Sequence, residues 1–218
     1  MNLELFNKHY EPLSPKERLE ELYDHYPDDK ILFTSSFGAT SVILLHMISQ
    51  VSPKQAIHFV DTGYHYEETL AYRSLLEARF NLNIVDLKAA PNRHKFTKQS
   101  FTYLQNQNLC CFINKVDPVE RIKKDYHIWI SGLLRFQNVN RSNLQLFEET
   151  KDIVKFNPLL DMTQEETGLY IQLHDLPIHD LVHQGYDSIG CSHCTTKGTG
   201  RTGRWMNNSK TECGLHVD

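Results

Sequence analysis

A chain of 218 residues can bury a sizeable core within one domain, or one large domain with appendages. Its make-up is that of an ordinary globular protein, 40% hydrophobic and 23% charged with ten Gly and eight Pro. A net charge of −4 argues against general nucleic-acid binding, which draws on a basic face, but leaves room for a small anionic ligand. No window approaches the apolar run needed to span a bilayer. The start, Met1-Asn2-Leu3-Glu4-Leu5, lacks the basic and apolar regions of a secretory signal, so a soluble cytoplasmic protein is expected.

Ser14-Pro15-Lys16-Glu17 reads as a helix start, with Ser as cap, Pro at the first position and Glu closing a capping box. That helix should run to about Tyr26. Ile31 to Ser35 is a short buried strand, ending in Ser35-Ser36-Phe37-Gly38, and apolar residues at helical spacing (Val42, Leu45, Met47, Ile48) follow over 39–50. Ala56 to Val60 is a second strand, ending in Asp61-Thr62-Gly63. A helix over 67–80, a strand over 82–87 and a strand over 127–131 come next. Thr163-Gln164-Glu165-Glu166 is another capping box, opening a helix to about His174, and Pro177 starts a further short helix. Strands alternating with helices of this length indicate βαβ units and a parallel sheet. Beyond Gly185 the regular pattern fails, and there is no internal repeat or linker.

In open α/β sheets ligands bind beyond the carboxyl ends of the strands. Ser35, Ser36, Phe37 and Gly38 lead directly into a helix, which suits backbone N–H groups for cradling an anion. Asp61, Thr62 and Gly63 offer an acceptor, a hydroxyl and a close-approach glycine. After Gly132, Arg135 and Arg141 supply guanidinium groups suited to phosphate or sulfate. Each alone is matched by a bland reading: a strand-to-helix turn, a helix cap, a solvated pair of arginines. Three at successive strand ends point to a nucleotide-sized anionic ligand. A basic stretch with no acid, holding Lys197, Arg201, Arg204 and Lys210, lies between Thr195 and Thr211.

Five cysteines in a reducing compartment suggest metal binding or redox chemistry rather than disulfides. Cys110-Cys111 and Cys191-x-x-Cys194 together give enough thiolates for zinc or an iron–sulfur cluster. Adjacent side chains diverge in helix or strand, which suits a multi-iron cluster better than one tetrahedral ion; buried unligated cysteines are the remaining alternative. Cys213 stands apart, beside the basic stretch, where nearby cations lower a thiol pKa and expose a reactive thiolate.

The tail Glu212-Cys213-Gly214-Leu215-His216 resembles the catalytic signature of the sulfonucleotide reductases, and the four other cysteines resemble the [4Fe–4S] site of their adenylylsulfate (APS) branch. Phosphoadenylylsulfate (PAPS) reductases typically lack those four. Ser-Ser-Phe-Gly is similar to the family's modified pyrophosphate-type loop, and Asp61-Thr62-Gly63 to its Asp-Thr-Gly motif. The resemblance implies a single adenine-nucleotide alpha-hydrolase-like α/β domain, with a twisted, mainly parallel sheet flanked by helices. Residues 1–190 would bind the sulfonucleotide and include Cys110-Cys111. Residues 191–218 would form an irregular catalytic segment.

By the same resemblance, Cys213 attacks the sulfate sulfur of APS, expels AMP and becomes an S-sulfocysteine. A thioredoxin-like dithiol then releases sulfite for sulfate assimilation and cysteine biosynthesis. Lys115 resembles the family lysine between cluster and substrate. Arg201-Thr-Gly-Arg204-Trp205 is similar to the segment that closes on the substrate. The cluster is expected to organise the site and its charge without transferring electrons, and a homo-oligomer is left open. Where the family usually reads Gly-Leu-Arg-Arg-x-Gln-Ser, this chain has Gly132-Leu133-Leu134-Arg135-Phe136-Gln137-Asn138, so one arginine is replaced by Leu134; Thr196 also stands where Arg is frequent. Three alternatives stay in play: a PAPS or dual-specificity reductase, a pyrophosphate-loop enzyme that adenylates with ATP, and a zinc-binding module.

Overall fold

The computed structural model describes residues 2–205, 210 and 212–215. Helices α1 (Leu3–Tyr10) and α2 (Pro15–His25) precede β1 (Ile31–Ser35). Ser14 caps α2 through the full capping box, its hydroxyl accepting from Glu17 N while the Glu17 carboxylate takes Ser14 N. Next come α3 (Ser41–Val51), β2 (Ala56–Asp61), α4 (Glu67–Phe80), β3 (Asn83–Lys88) and α5 (Pro91–Gln99). A nearly continuous helical stretch follows: α6 (Thr102–Gln105), α7 (Gln107–Cys111), a π turn (Phe112–Val116) and α8 (Asp117–Lys123). The remainder holds β4 (Ile128–Ile130), β5 (Phe147–Glu149), β6 (Val154–Phe156), α9 (Gln164–Leu173) and α10 (Asp180–His183).

The six strands form one sheet in the order β3-β2-β1-β4-β6-β5. All neighbours pair in parallel except β5, which runs antiparallel on the edge beside β6. Strand order reverses between β1 and β4, and there the carboxyl ends open a crevice of the kind that holds nucleotides. The central strands β1, β2 and β4 are buried on both faces because helices cover both. Ile31, Phe33, Ile57, Phe59, Ile128 and Ile130 face the main core with α3, whereas Leu32, Val60 and Trp129 face a second one beside Val119 of α8. Helix α3 is buried on several sides (Val42, Ile43, Leu44, Leu45, Met47, Ile48), which explains its long apolar run.

Single-domain α/β architecture with a mainly parallel sheet agrees with the sequence reading. Several details differ, among them α1 and the helical stretch from α6 to α8, for which no element was expected. The helix expected at Pro177 begins at Asp180, since buried His179 caps it and holds Thr69 with its other ring nitrogen. Helix α5 gave no amphipathic signal, because its large apolar residue, Phe96, is exposed. Strands β5 and β6 are three residues each, too short for a periodic pattern. No described helix is long and apolar enough to cross a membrane.

Candidate active site

At the end of β1 the loop backbone is bent at Phe37, whose φ of 51° is left-handed, with its N–H donating to Ser35 Oγ at 3.1 Å. The Phe37 ring is fully buried against Phe59, so this residue offers the loop only its backbone. Ser36 is exposed, and Gly38 receives hydrogen bonds from Ser41 on its carbonyl as α3 begins.

After β2, Asp61 accepts from Gly63 N at 2.9 Å and pairs with Lys88 at 3.1 Å. Burial works against its charge, but Gly63 and Lys88 outweigh it and hold the carboxyl below its ordinary range. Gly63 has a φ of 68°, and a Cβ there would lie 2.5 Å from His94 Cε1, so glycine is required. The Thr62 hydroxyl turns inward, 3.4 Å from Cys191 Sγ.

Four cysteines distant in sequence meet here. Cys110, Cys111, Cys191 and Cys194 line one cavity, with Thr62, Lys115 and Trp205 also on its walls. Cys110 and Cys111 end α7, and the helix then widens into the π turn that carries Lys115. Pro118 gives a reason for the widening: it lacks a donor for Asn114 O, and its ring would clash there in a regular α-helix. Cys191 precedes and Cys194 ends a 3-10 turn over 192–194, pinned by Ser192 N and Oγ on Tyr64 O and by Tyr66 OH on Thr195 O.

Charge couples the sulfurs. Burial, then the neighbouring Cys111, Cys191 and Cys194, pushes the Cys110 thiol up to about 12. Burial, then Cys191 and Cys111, pushes Cys194 up to about 11. Burial also acts against Cys191, but the Lys115 ammonium, the Thr62 hydroxyl and Arg204 outweigh it and lower that thiol. Lys115 mirrors this: burial opposes its charge, yet Cys191, Cys213 and Cys111 raise its pKa well above the ordinary lysine value. Four thiols gathered in this way resist ionising together unless a cationic group shares the cavity. Among the described residues no three Cys, His, Asp or Glu side chains converge as one ion would need. Cys110, Cys111, Cys191 and Cys194, on the walls of one cavity, are the residues that could hold a sulfur-ligated metal group.

Residues 212–215 lie against the same region. Leu215 packs on the second core beside Trp129, and a Cβ on Gly214 would lie 3.3 Å from Val116 of the π turn. Cys213, half-buried between them, lies within the field of Lys115 and of Arg201. Arg204 donates to Ser188 Oγ and Ile189 O, and its guanidinium stacks on Trp205 at 4.4 Å. Arg141 and Arg201 both bind the Glu212 carboxylate. Arg135 is placed elsewhere: exposed, it donates to Leu144 O at 3.0 Å and lies near Asp161. Leu134 is fully buried in the main core. His216 lies outside the described residues.

Several residues of the site went unassigned in the sequence. Tyr103 and His193 stack at 4.0 Å beside the cysteine cavity, and Asn114 donates to Cys110 O at 3.0 Å and approaches Cys110 Sγ at 3.6 Å. No spacing rule signals either. Glu212 was visible in the tail signature and Arg141 and Arg201 as candidate anion ligands, but their pairing with Glu212 was not.

The phosphoadenosine phosphosulfate reductase domain family matches residues 30–197. An adenosine 5'-phosphosulfate reductase of Halalkalibacterium halodurans is 37% identical over 197 residues, covering 86% of this chain and 85% of that protein. A phosphoadenosine 5'-phosphosulfate reductase of Gloeobacter violaceus is 35% identical, covering 99% of this chain and 93% of its own. Among solved structures, phosphoadenylyl-sulfate reductase from Candida auris superposes with a TM-score of 0.75 at 28% identity, over 88% of this chain and 95% of that one.

Proposed function

The chain belongs to the phosphoadenosine phosphosulfate reductase family and is a sulfonucleotide reductase, and from that premise we propose that it reduces adenylylsulfate to sulfite and AMP. The observation that carries the reading is Lys115 on the wall of the cysteine cavity, where Cys191, Cys213 and Cys111 together raise its pKa. One cation thereby acts on both the cavity cysteines and the nucleophile.

In the reaction, the Cys213 thiolate attacks the sulfate sulfur of the nucleotide held in the crevice between β1 and β4. A sulfur–sulfur bond forms, the sulfur–oxygen bond to phosphate breaks, and its electron pair leaves with AMP. Lys115, Arg201 and Arg204 offset the charge that gathers on the transferred group and the departing phosphate. The backbone of Ser35 to Gly38, at the start of α3, suits the nucleotide's phosphate. A thioredoxin-like dithiol then attacks Cys213 Sγ, sulfite departs with the electron pair of the broken bond, and the dithiol's second sulfur resolves the mixed disulfide. The enzyme ends as the thiolate and the partner as a disulfide, so the partner supplies both electrons. Five cysteines kept as thiols suit the reducing cytoplasm.

Cys110, Cys111, Cys191 and Cys194 would hold a [4Fe–4S] cluster, with Thr62 and Asn114 directed at its sulfur ligands. When bound, the cluster supplies positive charge that stabilises four thiolates and orders the walls around Lys115. This cysteine set also supports APS over PAPS as substrate.

Sulfite release by anaerobically purified protein with thioredoxin, from APS and PAPS in parallel, tests the reading. A clear preference for APS, with iron and acid-labile sulfide in equal amounts, is expected. Preference for PAPS would overturn the substrate assignment, and bound zinc without sulfide would overturn the cluster.

A further inference from the structure

Glu212 immediately precedes the nucleophile, and its carboxylate is buried at 7% exposure. Arg141 Nε and Nη2 each donate to Oε1 at 2.8 Å, Arg201 Nη2 donates to Oε2 at 2.9 Å, and Asn138 Nδ2 donates to Oε1 at 3.1 Å. Arg141 is itself only 5% exposed and donates from Nη1 to Gln137 Oε1 at 2.7 Å. Gln137 Nε2 in turn donates to Thr40 Oγ1 at 3.2 Å, at the start of α3. A line of hydrogen bonds therefore joins the tail acid to the loop at the end of β1.

Two guanidinium groups sharing one buried carboxylate depend on it. Were Glu212 to leave, Arg141 and Arg201 would lose the carboxylate they share, a loss that burial makes costly. On the far side of Cys213 the anchor is apolar: Leu215 against the Trp129 core, with Gly214 pressed close to Val116. The nucleophile thus hangs between an ionic anchor and an apolar one. Only the ionic anchor is directional, so it fixes the approach of Cys213 to Lys115.

We propose that Glu212 is a latch that positions Cys213 for attack on the nucleotide, with Arg141 and Arg201 as its receptor. The proposal rests on the sulfonucleotide-reductase reading above. It makes Arg141 a receptor for the tail, whereas Arg201, bonded to Glu212 through one nitrogen, serves the tail and the nucleotide together. Attack on the nucleotide needs the latch made.

The test separates the two half-reactions in the cluster-loaded enzyme, for wild type, Glu212→Gln and Arg141→Gln. AMP release in a single turnover without dithiol reads the first. Sulfite release on adding dithiol to the isolated S-sulfonated protein reads the second. Alkylation of Cys213 by iodoacetamide, followed by mass spectrometry, reads the exposure of the tail without any substrate. Loss of a buried ionic contact should slow the first half-reaction about tenfold or more and raise both alkylation and the second half-reaction. Both single variants should show this split, and the double variant should add little to either.

Iron content and circular dichroism equal to wild type establish that each variant is folded; should Arg141→Gln fail there, Glu212→Gln alone decides. A slower first half-reaction with unchanged alkylation would overturn the latch, as would no change in any of the three. If wild type released no AMP from APS, the proposed function would fail, while the alkylation comparison would still decide the latch.

Discussion

The Thr62 hydroxyl oxygen lies 3.4 Å from the Cys191 sulfur, joining the turn after β2 to a cysteine 129 positions further along the chain. The same hydroxyl accepts from Tyr64 N at 3.2 Å, leaving its proton for the sulfur. Thr62 is 2% exposed, so water cannot replace a lost donor. Thr62→Val keeps the shape and removes the hydrogen bond. The variant should load iron normally but bleach faster in air, by roughly three- to tenfold, the equivalent of one hydrogen bond of about 1 kcal/mol. The decay of visible absorption under fixed oxygen measures this, and a rate equal to wild type would remove Thr62 from the support of the site.

The cysteines should divide into two classes on substitution. Cys110→Ser and Cys191→Ser remove sulfurs from the cavity wall and should lose most of the iron and sulfide along with activity. Cys213→Ser stands outside that cavity and should keep iron and sulfide at wild-type levels while making no sulfite. Paired metal analysis and sulfite assay on the same preparations check the division. Iron loss in Cys213→Ser would mean that the tail cysteine is itself a ligand.

Leu134 stands where the family motif that this segment resembles has an arginine, and its side chain is fully buried among the apolar residues of the main core. Restoring the arginine should therefore damage the fold instead of adding a substrate contact. An unpaired guanidinium in that core would cost about 3 kcal/mol or more, a large part of the stability of a domain. Urea denaturation of Leu134→Arg measures the loss; a stable variant with a lower KM would show that the position still opens onto the crevice.

Acid stability should carry the mark of Asp161. Arg18, 1% exposed, donates to both Asp161 carboxylate oxygens at 2.6 Å and to three backbone carbonyls, tying α1 and α2 to the turn after β6. Burial raises the Asp161 pKa, but the Arg18 contacts outweigh it, so the folded value lies below the ordinary one. A lowered carboxyl contributes stability above its unfolded pKa of about 4 and loses it as pH falls through the folded value. Asp161→Asn should thus be less stable than wild type at pH 7, and the gap should narrow on moving below about pH 4. Denaturation midpoints from pH 7 to pH 3 check the sign; a gap that stays constant would assign the loss to packing.

Much of this molecule is written locally. Ser14 with Glu17 and Thr163 with Glu166 form the capping boxes their spacing predicts, because a cap is satisfied by atoms three residues away. The apolar stretches of β1, β2 and β4 are strands because only burial on both faces of a parallel sheet accommodates them. Cysteine spacing likewise identified which sulfurs belong together, as adjacent and Cys-x-x-Cys pairs carry their chemistry in the chain itself.

What the sequence left open depends on partners far along the chain. Arg135 and Arg141 look alike in a one-dimensional reading, yet Arg135 faces Leu144 O while Arg141 is closed on Glu212, 71 positions away. Stacking of Tyr103 on His193 and the turn of Thr62 toward Cys191 have no local signal either. Residue type and spacing determined the fold class and marked the cysteines that come to share one cavity, since short-range hydrogen bonding and hydrophobic periodicity are properties of the chain. Which arginine serves which anion was decided only by tertiary structure, because a long flexible cation takes its partner from the charges and cavities that folding brings within its reach.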